Sequence, residues 1–189
     1  MSSTIQSFTR YSVVVGALVA AAVFKCATPS LAKLIHLFAF MSWFGTSIWV
    51  SFFSGLIAFK TLQRHTFGRL QSRIFPIYFA YSCHLLMLCI SCALCEKMLT
   101  NGSSKTTDNW KVQYLLGSLL LTLVNFYFLE PWTTALMWKR HATEKRLNTG
   151  HEIGKLCPDD PNHVANKSKE LKDISRKFGT LQYVILFIL

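Results

Sequence analysis

Long blocks of apolar residues alternate with short basic or polar stretches along this chain. Residues 34–59, 74–98 and 112–138 each exceed the ~20 apolar residues that a helix needs to cross a bilayer. A fourth block, residues 178–189, reaches only about half of that length. The pattern predicts an all-α integral membrane helix bundle with three full spans, a truncated fourth span and a short N-terminal apolar segment.

The hydrophobic pattern also divides the chain into two predicted regions. Residues 1–33 form an N-terminal extension, in which the apolar block 11–24 is shorter than a full span. This block resembles a signal peptide and a signal anchor equally well, so both alternatives stay open. Residues 34–189 form the helical membrane domain, and residues 139–177 are predicted to be its hydrophilic cytoplasmic loop, with short helices at its ends.

Basic residues predict the orientation of the spans. The formal net charge is +11, and the Lys and Arg residues lie beside apolar blocks, which favours a membrane partner and argues against nucleic acid. Residues 60–73 form a predicted turn with four basic residues and no acid, and the loop at 139–146 is also strongly basic. Basic loops face the cytoplasm, so we expect both regions there and residues 96–111 outside.

Two prolines lie at informative positions within the predicted spans. Pro76 is placed in the first turn of the second span, where its missing backbone N–H does little harm. Pro131 lies inside the third span and is expected to kink or break that helix.

Sulfur-containing side chains are concentrated in the second predicted span. The residues on or beside one helical face are Met87, Cys89, Cys92 and Cys95. Thiols and thioethers suit soft metals such as copper(I), so these residues are candidate ligands for a thiophilic metal species. Cys and Met also fill gaps between packed helices, and this packing interpretation is the alternative.

Several polar side chains in or near the spans are candidates for structural roles inside the membrane. They are His36, Arg64, His65, Asn125 and Glu130. Asn125 lies deep in the third span and can hydrogen bond to a neighbouring helix. Glu130 lies near the cytoplasmic end of that span and is a candidate ion site or ion-pair partner. We predict that Arg64 and Glu130 belong to one polar cluster.

Short motifs in the spans connect the chain to a known family. The most specific motif is the run that begins Arg64-His65 and ends at Gly68. Other matches, in order, are His36-Leu37, Trp43-Phe44-Gly45, Trp49-Val50-Ser51-Phe52, Ser54-Gly55, Gln71-Ser72, Phe75-Pro76, Tyr78-Phe79, Asn125, Leu129-Glu130-Pro131, Thr133-Thr134-Ala135, Met137-Trp138 and Lys177-Phe178-Gly179. Over about residues 34–179 the chain resembles the transmembrane protein 205 family, a eukaryotic multi-span group.

The resemblance implies a multi-span membrane protein of a group whose domain has no settled biochemical activity. The chain departs from the family pattern at Gln63, at Trp132 and after Phe178. Beyond Phe178 a full final span is expected, whereas this chain ends about half a span later. The sequence therefore suggests a truncated or alternatively spliced form.

The sequence favours a function in transport or trafficking. It contains no nucleophile–base pair, phosphate-binding loop or helix-borne zinc motif, so we expect a protein that is not an enzyme and has no cofactor. The most concrete hypothesis is efflux or vesicular handling of thiophilic metal species. The alternative is a non-transporting assembly or trafficking factor that binds partner helices.

The expected partners follow from the small size of the bundle. The lipid bilayer is one, and a homo-oligomer or other membrane proteins are further candidates, since three or four helices leave little room for a pore. The expected location is the plasma membrane or the endomembranes of the secretory pathway.

Overall fold

The regular elements of the described residues are helices. A computed structural model describes residues 2–26, 28–99, 107–148 and 168–188. The α-helices are α1 (Ser2–Cys26), α2 (Pro29–Ile48), α3 (Gly55–Thr61), α4 (Arg64–Leu99), α5 (Thr107–Val124), α6 (Glu130–Arg146) and α7 (Lys169–Ile188). Two π-helical segments join consecutive helices: π1 (Trp49–Ser54) connects α2 to α3, and π2 (Asn125–Leu129) connects α5 to α6.

Four helical stretches are long and apolar enough to cross a membrane. They are Ser7–Lys25, Pro29–Thr61, Arg64–Leu99 and Trp110–Arg146. The predicted all-α membrane bundle is confirmed. The N-terminal segment differs in length from the prediction, because α1 extends beyond the apolar block on both sides and reaches the length of a span. Residues 178–188 of the short apolar block form the C-terminal part of α7.

The basic turn is much shorter than predicted. The helix α3 ends where Leu62 adopts an extended backbone, with φ −99° and ψ 146°, and α4 already begins at Arg64. The predicted turn 60–73 therefore belongs mostly to helix, because no proline interrupts the chain between residues 60 and 75. Pro76 consequently lies inside α4 and not in its first turn, which corrects the prediction for that residue.

The third predicted span continues past Pro131. The segment π2 ends just before α6, and Pro131 lies in the first turn of α6. A proline inside a helix removes one backbone hydrogen bond and crowds the preceding turn, and the chain here adopts the wider π-helical turn in that position. The helix then runs to Arg146, so residues 139–146 of the predicted loop are helical. Residues 149–167 of that loop lie outside the described residues.

The chain divides into two units, each containing parts of several helices. Unit 1 comprises Met1–Ile48 and Pro76–Val124, and unit 2 comprises Trp49–Phe75 and Asn125–Leu189. In unit 1, Leu86 of α4 packs with Ala39 of α2 and Leu115 of α5 in an apolar cluster. In unit 2, α7 packs against α6 and π2.

Large apolar side chains are exposed along most of the spans. Examples with at least three fifths of their surface exposed are Phe8, Leu18, Phe38, Trp49, Phe52, Leu120, Phe128 and Trp132. Exposed apolar surface on this scale is costly in water and favourable in hydrocarbon. The spans therefore contact the lipid bilayer through these side chains.

The orientation of the spans stays a prediction that surface labelling can test. Lys145 is exposed in the last turn of α6, and residue 104 lies outside the described residues. On intact cells an impermeant thiol reagent should label Ser104→Cys, and it should label Lys145→Cys only after permeabilisation. The unmodified chain measures background labelling of the six native cysteines, of which Cys83, Cys89, Cys92 and Cys95 are buried. The reverse pattern would show that the basic residues have been assigned to the wrong side.

Candidate functional site

A fully buried carboxylate, that of Glu144, is the centre of a charged cluster in unit 2. Its Oε1 accepts hydrogen bonds from Arg64 Nη1 at 3.1 Å and from Arg140 Nε at 3.0 Å. Its Oε2 lies 2.9 Å from His65 Nε2. Because an ionised carboxylate only accepts hydrogen bonds, this last contact requires a proton on His65 Nε2.

Two helix ends supply these side chains. Arg64 and His65 are consecutive at the start of α4, and Arg140 precedes Glu144 by four residues in the last turns of α6. Residues four apart on a helix face the same side, so Arg140 and Glu144 meet without any long-range constraint. With His141, these residues are called the Glu144 cluster: Arg64, His65, Arg140, His141 and Glu144.

The ring of His141 packs against His65 and against α4 at Gly68, and so belongs to the cluster. Its ring centroid lies 4.5 Å from that of His65. Gly68 of α4 makes room for this ring, since a Cβ atom at that position would come within 2.8 Å of His141 Cε1. Arg140 is held from another side, with its guanidinium carbon 5.3 Å from the ring centroid of Phe178 in α7.

The Glu144 cluster has a donor set that can hold a metal ion. One ligand atom each from His65, His141 and Glu144 lie within 4.8 Å of one another. Among the described residues this is the one group of three or more His, Cys, Asp or Glu side chains close enough to do so. Sequence reasoning did not identify this group.

Burial makes the ion pairs of the cluster sensitive to the loss of a partner. The side chains of Arg64, Arg140 and Glu144 are at most 6% exposed. An isolated charge in such an environment costs several kcal/mol, and the opposite charges offset that cost only while they remain in contact. The ion pairs of the cluster therefore also hold α4 and α6 together.

The structure places the predicted polar residues in different surroundings. Arg64 and His65 belong to the Glu144 cluster, while the Oε1 atom of Glu130 accepts a hydrogen bond from Thr134 at 2.9 Å. His36 in unit 1 contacts the carbonyl oxygen of Cys89 through Nδ1 at 3.1 Å. A shared cluster of Arg64 and Glu130 stays a prediction.

Asn125 is the most unusual of the predicted polar residues. It begins π2 and is 1% exposed. Among the described atoms, neither the oxygen nor the nitrogen of its side-chain amide has a hydrogen-bond partner. An unpaired buried amide costs about 1–3 kcal/mol, so this position is not explained by stability.

The predicted sulfur ligands lie mainly among apolar neighbours in unit 1. Cys89 packs in the cluster that contains Leu86 and Ala39, whereas Cys92 and Cys95 pack together against Ala32. This arrangement matches the packing alternative for the three cysteines. The metal-binding hypothesis for them and for Met87 stays a prediction.

The sequence interpretation missed three members of the Glu144 cluster: Arg140, His141 and Glu144. The available signal was a helical one, since Glu144 is the single acid among basic residues at 139–146 and follows Arg140 by one helical turn. Placing residues 139–177 in a solvated loop removed that helix from consideration. In the structure Arg140, His141, Thr143 and Glu144 are buried.

Comparison with known proteins identifies the family of the chain. A family model described as "Domain of unknown function (DUF4149)" matches residues 38–142, more than half of the chain. The chain belongs to the DUF4149 family. Transmembrane protein 205 of Danio rerio is 25% identical to it over 145 residues, which cover 72% of this chain and 76% of that relative. No solved structure matches the chain.

These findings confirm the resemblance to the transmembrane protein 205 family as a distant homology. The chain is accordingly a multi-span membrane protein. The region matched by the DUF4149 model contains Asn125 and Glu130 and all members of the Glu144 cluster except Glu144, which lies two residues beyond its end.

Proposed function

We propose that this DUF4149 protein is of the transport type and binds a small polar or charged solute among the buried polar residues of unit 2. The observation that supports the proposal most directly is the unpaired amide of Asn125. A polar group buried in a membrane-spanning helix without a partner is a site where a solute or water can supply the missing hydrogen bonds. The wider π-helical turn at Asn125 fits this role, since such turns are frequent at functional sites.

The alternative class, a factor that binds partner helices, has less support from the contacts. Polar side chains on a partner-binding face should be free to reach another protein. In unit 1 the Ser47 hydroxyl instead lies 2.9 Å from the Tyr78 hydroxyl, and His36 contacts Cys89. His36 and Ser47 of α2 thus already have partners within the chain.

Replacing Asn125 with Leu tests the proposed solute site. Leu has a similar shape and removes an amide that has no partner, so the thermal midpoint in detergent should stay equal or rise. In proteoliposomes, uptake of the transported tracer should fall at least tenfold. The tracers are sodium, chloride and copper(I), each compared with empty vesicles.

Thr122→Val is the matched control for this experiment. The Thr122 hydroxyl donates to the Ser118 carbonyl in its own helix, so its removal should leave uptake unchanged. Unchanged uptake by Asn125→Leu, or wild-type uptake no faster than in empty vesicles for all three tracers, would contradict the proposed site.

A second candidate function is transport of a thiophilic metal species along α4. In unit 1 a cavity of about 330 Å³ is lined by Met87, Ser91 and Leu94, among others, so one thioether is accessible from a cavity. Thioether sulfur is a ligand for copper(I). The packed cysteines then supply further sulfur only if the helices around them rearrange.

The double variant Met87→Leu, Cys95→Ser separates sulfur chemistry from packing. Both changes approximately conserve volume and should cost under ~1.5 kcal/mol each, apart from the effect of the added hydroxyl. If sulfur carries the metal, copper(I) export should fall sharply while the amount of folded protein stays near wild type. Export at the wild-type rate would assign these side chains to packing.

The proposal also covers the absence of enzymatic activity, the location of the protein and its association with other chains. We infer a non-enzymatic role, because the sequence contains no recognisable catalytic motif. The proposed location is the plasma membrane or the secretory endomembranes. Association into a homo-oligomer or with other membrane proteins would give so small a bundle the walls that a solute pathway needs.

A further inference from the structure

We propose that His65, His141 and Glu144 form a binding site for a divalent transition-metal ion, with Zn²⁺ as the best match. This inference does not depend on the proposed transport of a solute. It rests on the positions of three side chains from α4 and α6 in unit 2.

The donor atoms already lie near the separation that a metal ion requires. Zn²⁺ binds histidine nitrogen and carboxylate oxygen at about 2.0–2.2 Å, so two of its ligands lie roughly 3.3 Å apart in a tetrahedral site. His65 Nε2 and Glu144 Oε2 are 2.9 Å apart, and the ligand atoms of the three residues lie within 4.8 Å of one another. Side-chain movements of about 1.5 Å or less therefore create the site.

The two carboxylate oxygens of Glu144 each have a described contact of their own. Oε1 accepts the hydrogen bonds from Arg64 and Arg140, whereas Oε2 faces His65. Metal-binding carboxylates are commonly oriented by hydrogen bonds to their other atoms, and the two arginines supply that orientation here. If His65 binds the metal through Nε2, that nitrogen cannot carry a hydrogen. The hydrogen of the neutral ring must then be on Nδ1.

The ligand types indicate the class of metal. Two imidazoles and one carboxylate suit Zn²⁺, Co²⁺ or Cu²⁺ and lack the soft sulfur that favours copper(I). Three protein ligands leave a coordination position for water or a solute. Because the guanidinium groups of Arg64 and Arg140 lie beside the Glu144 carboxylate, they repel a bound cation, and we expect weaker binding than in a closed four-ligand zinc site.

Gly68 provides independent support for the proposed site, because it fixes the position of the His141 ring. Its missing side chain lets the His141 ring lie against the backbone of α4, since an added Cβ would also come within 2.8 Å of Met137 Sδ. The ring is thereby held beside His65, at a centroid distance of 4.5 Å. Gly68→Ala should displace His141 and weaken metal binding while leaving all three ligands in the sequence.

Metal titration of the purified, untagged full chain in detergent tests the site. After chelator treatment, the wild type should bind one Co²⁺ per chain, with the visible absorbance of a low-coordinate ion, and Zn²⁺ should displace it. His65→Asn and His141→Asn should each weaken binding at least tenfold, because each removes a direct ligand. His84→Asn is the control, since His84 instead contacts the Ser12 carbonyl in unit 1, and it should bind like the wild type.

A second measurement requires no variant. Pulsed electron paramagnetic resonance of Cu²⁺ bound to the wild type should detect two coordinated imidazoles. Fewer than two imidazoles, no stoichiometric binding by the wild type, undiminished binding by both cluster variants, or an equal loss in His84→Asn would each overturn the proposal. A solute-transport defect would not, so this proposal and the proposed function fail separately.

Discussion

Replacing Glu144 with Gln should strongly destabilise the protein. The change preserves the size of the side chain and removes the negative charge that Arg64 and Arg140 contact at 3.1 and 3.0 Å. Removing one partner from a buried ion pair costs about 3–5 kcal/mol, because the remaining charges stay buried without it. We expect little folded protein after membrane extraction and a much lower thermal midpoint for what remains.

Glu170→Gln is the matched control for this result. Glu170 lies 3.7 Å from Arg146 in a pair whose side chains are 57% and 70% exposed. Exposed pairs contribute about 0–1 kcal/mol, so this variant should behave like the wild type. Equal stability of the two variants would show that the Glu144 cluster does not hold α4 and α6 together.

Replacing Gly16 with Ala should also destabilise the protein, by disturbing the contact of α1 with α4 in unit 1. A Cβ atom at residue 16 would overlap the imidazole ring of His84. The same ring contacts the Ser12 carbonyl through Nε2 at 2.7 Å, so moving it aside also breaks this hydrogen bond. Overpacking of this kind typically costs 1–3 kcal/mol, roughly, which exceeds the gain in helix propensity. Thermal unfolding in detergent measures the difference.

Gly45→Ala supplies the opposite expectation at a second helical glycine. Apart from the chain neighbours and the backbone of its own helix, no described atom lies within 4 Å of a Cβ built at residue 45, so the substitution gains helix propensity without a clash. It should leave the protein equally stable or stabilise it by up to about 1 kcal/mol. If Gly16→Ala were as stable as Gly45→Ala, the close packing of His84 on α1 would be refuted.

The sequence predicted the spans well because apolar length is a strong and local signal. The blocks at 34–59, 74–98 and 112–138 all lie within stretches that the structure describes as candidate spans. The helix ends were predicted less well, since basic residues were taken to mark turns. Arg64 and Arg140 instead remain in helices, because their charges contact a buried carboxylate inside the protein.

The Glu144 cluster illustrates why the site was only half predictable. Arg64 and His65 were identified as candidates from a motif. Their partner Glu144 lies 80 residues after Arg64 in the sequence. A sequence pattern shows which residues of one helix share a face, but it does not show which faces of two helices meet. The sequence predicted that the amide of Asn125 lies deep in a span. Only the three-dimensional structure shows that this amide has no partner among the described atoms.

The π-helical segment π2 sets the rotation of α6 about its axis. A π turn closes with one residue more than an α turn, so the chain beyond π2 is displaced by one position relative to an uninterrupted α-helix. One position corresponds to about 100° of rotation. A helical wheel that continues α5 through this segment without the interruption therefore places Glu144 on a face of α6 that is wrong by roughly that angle.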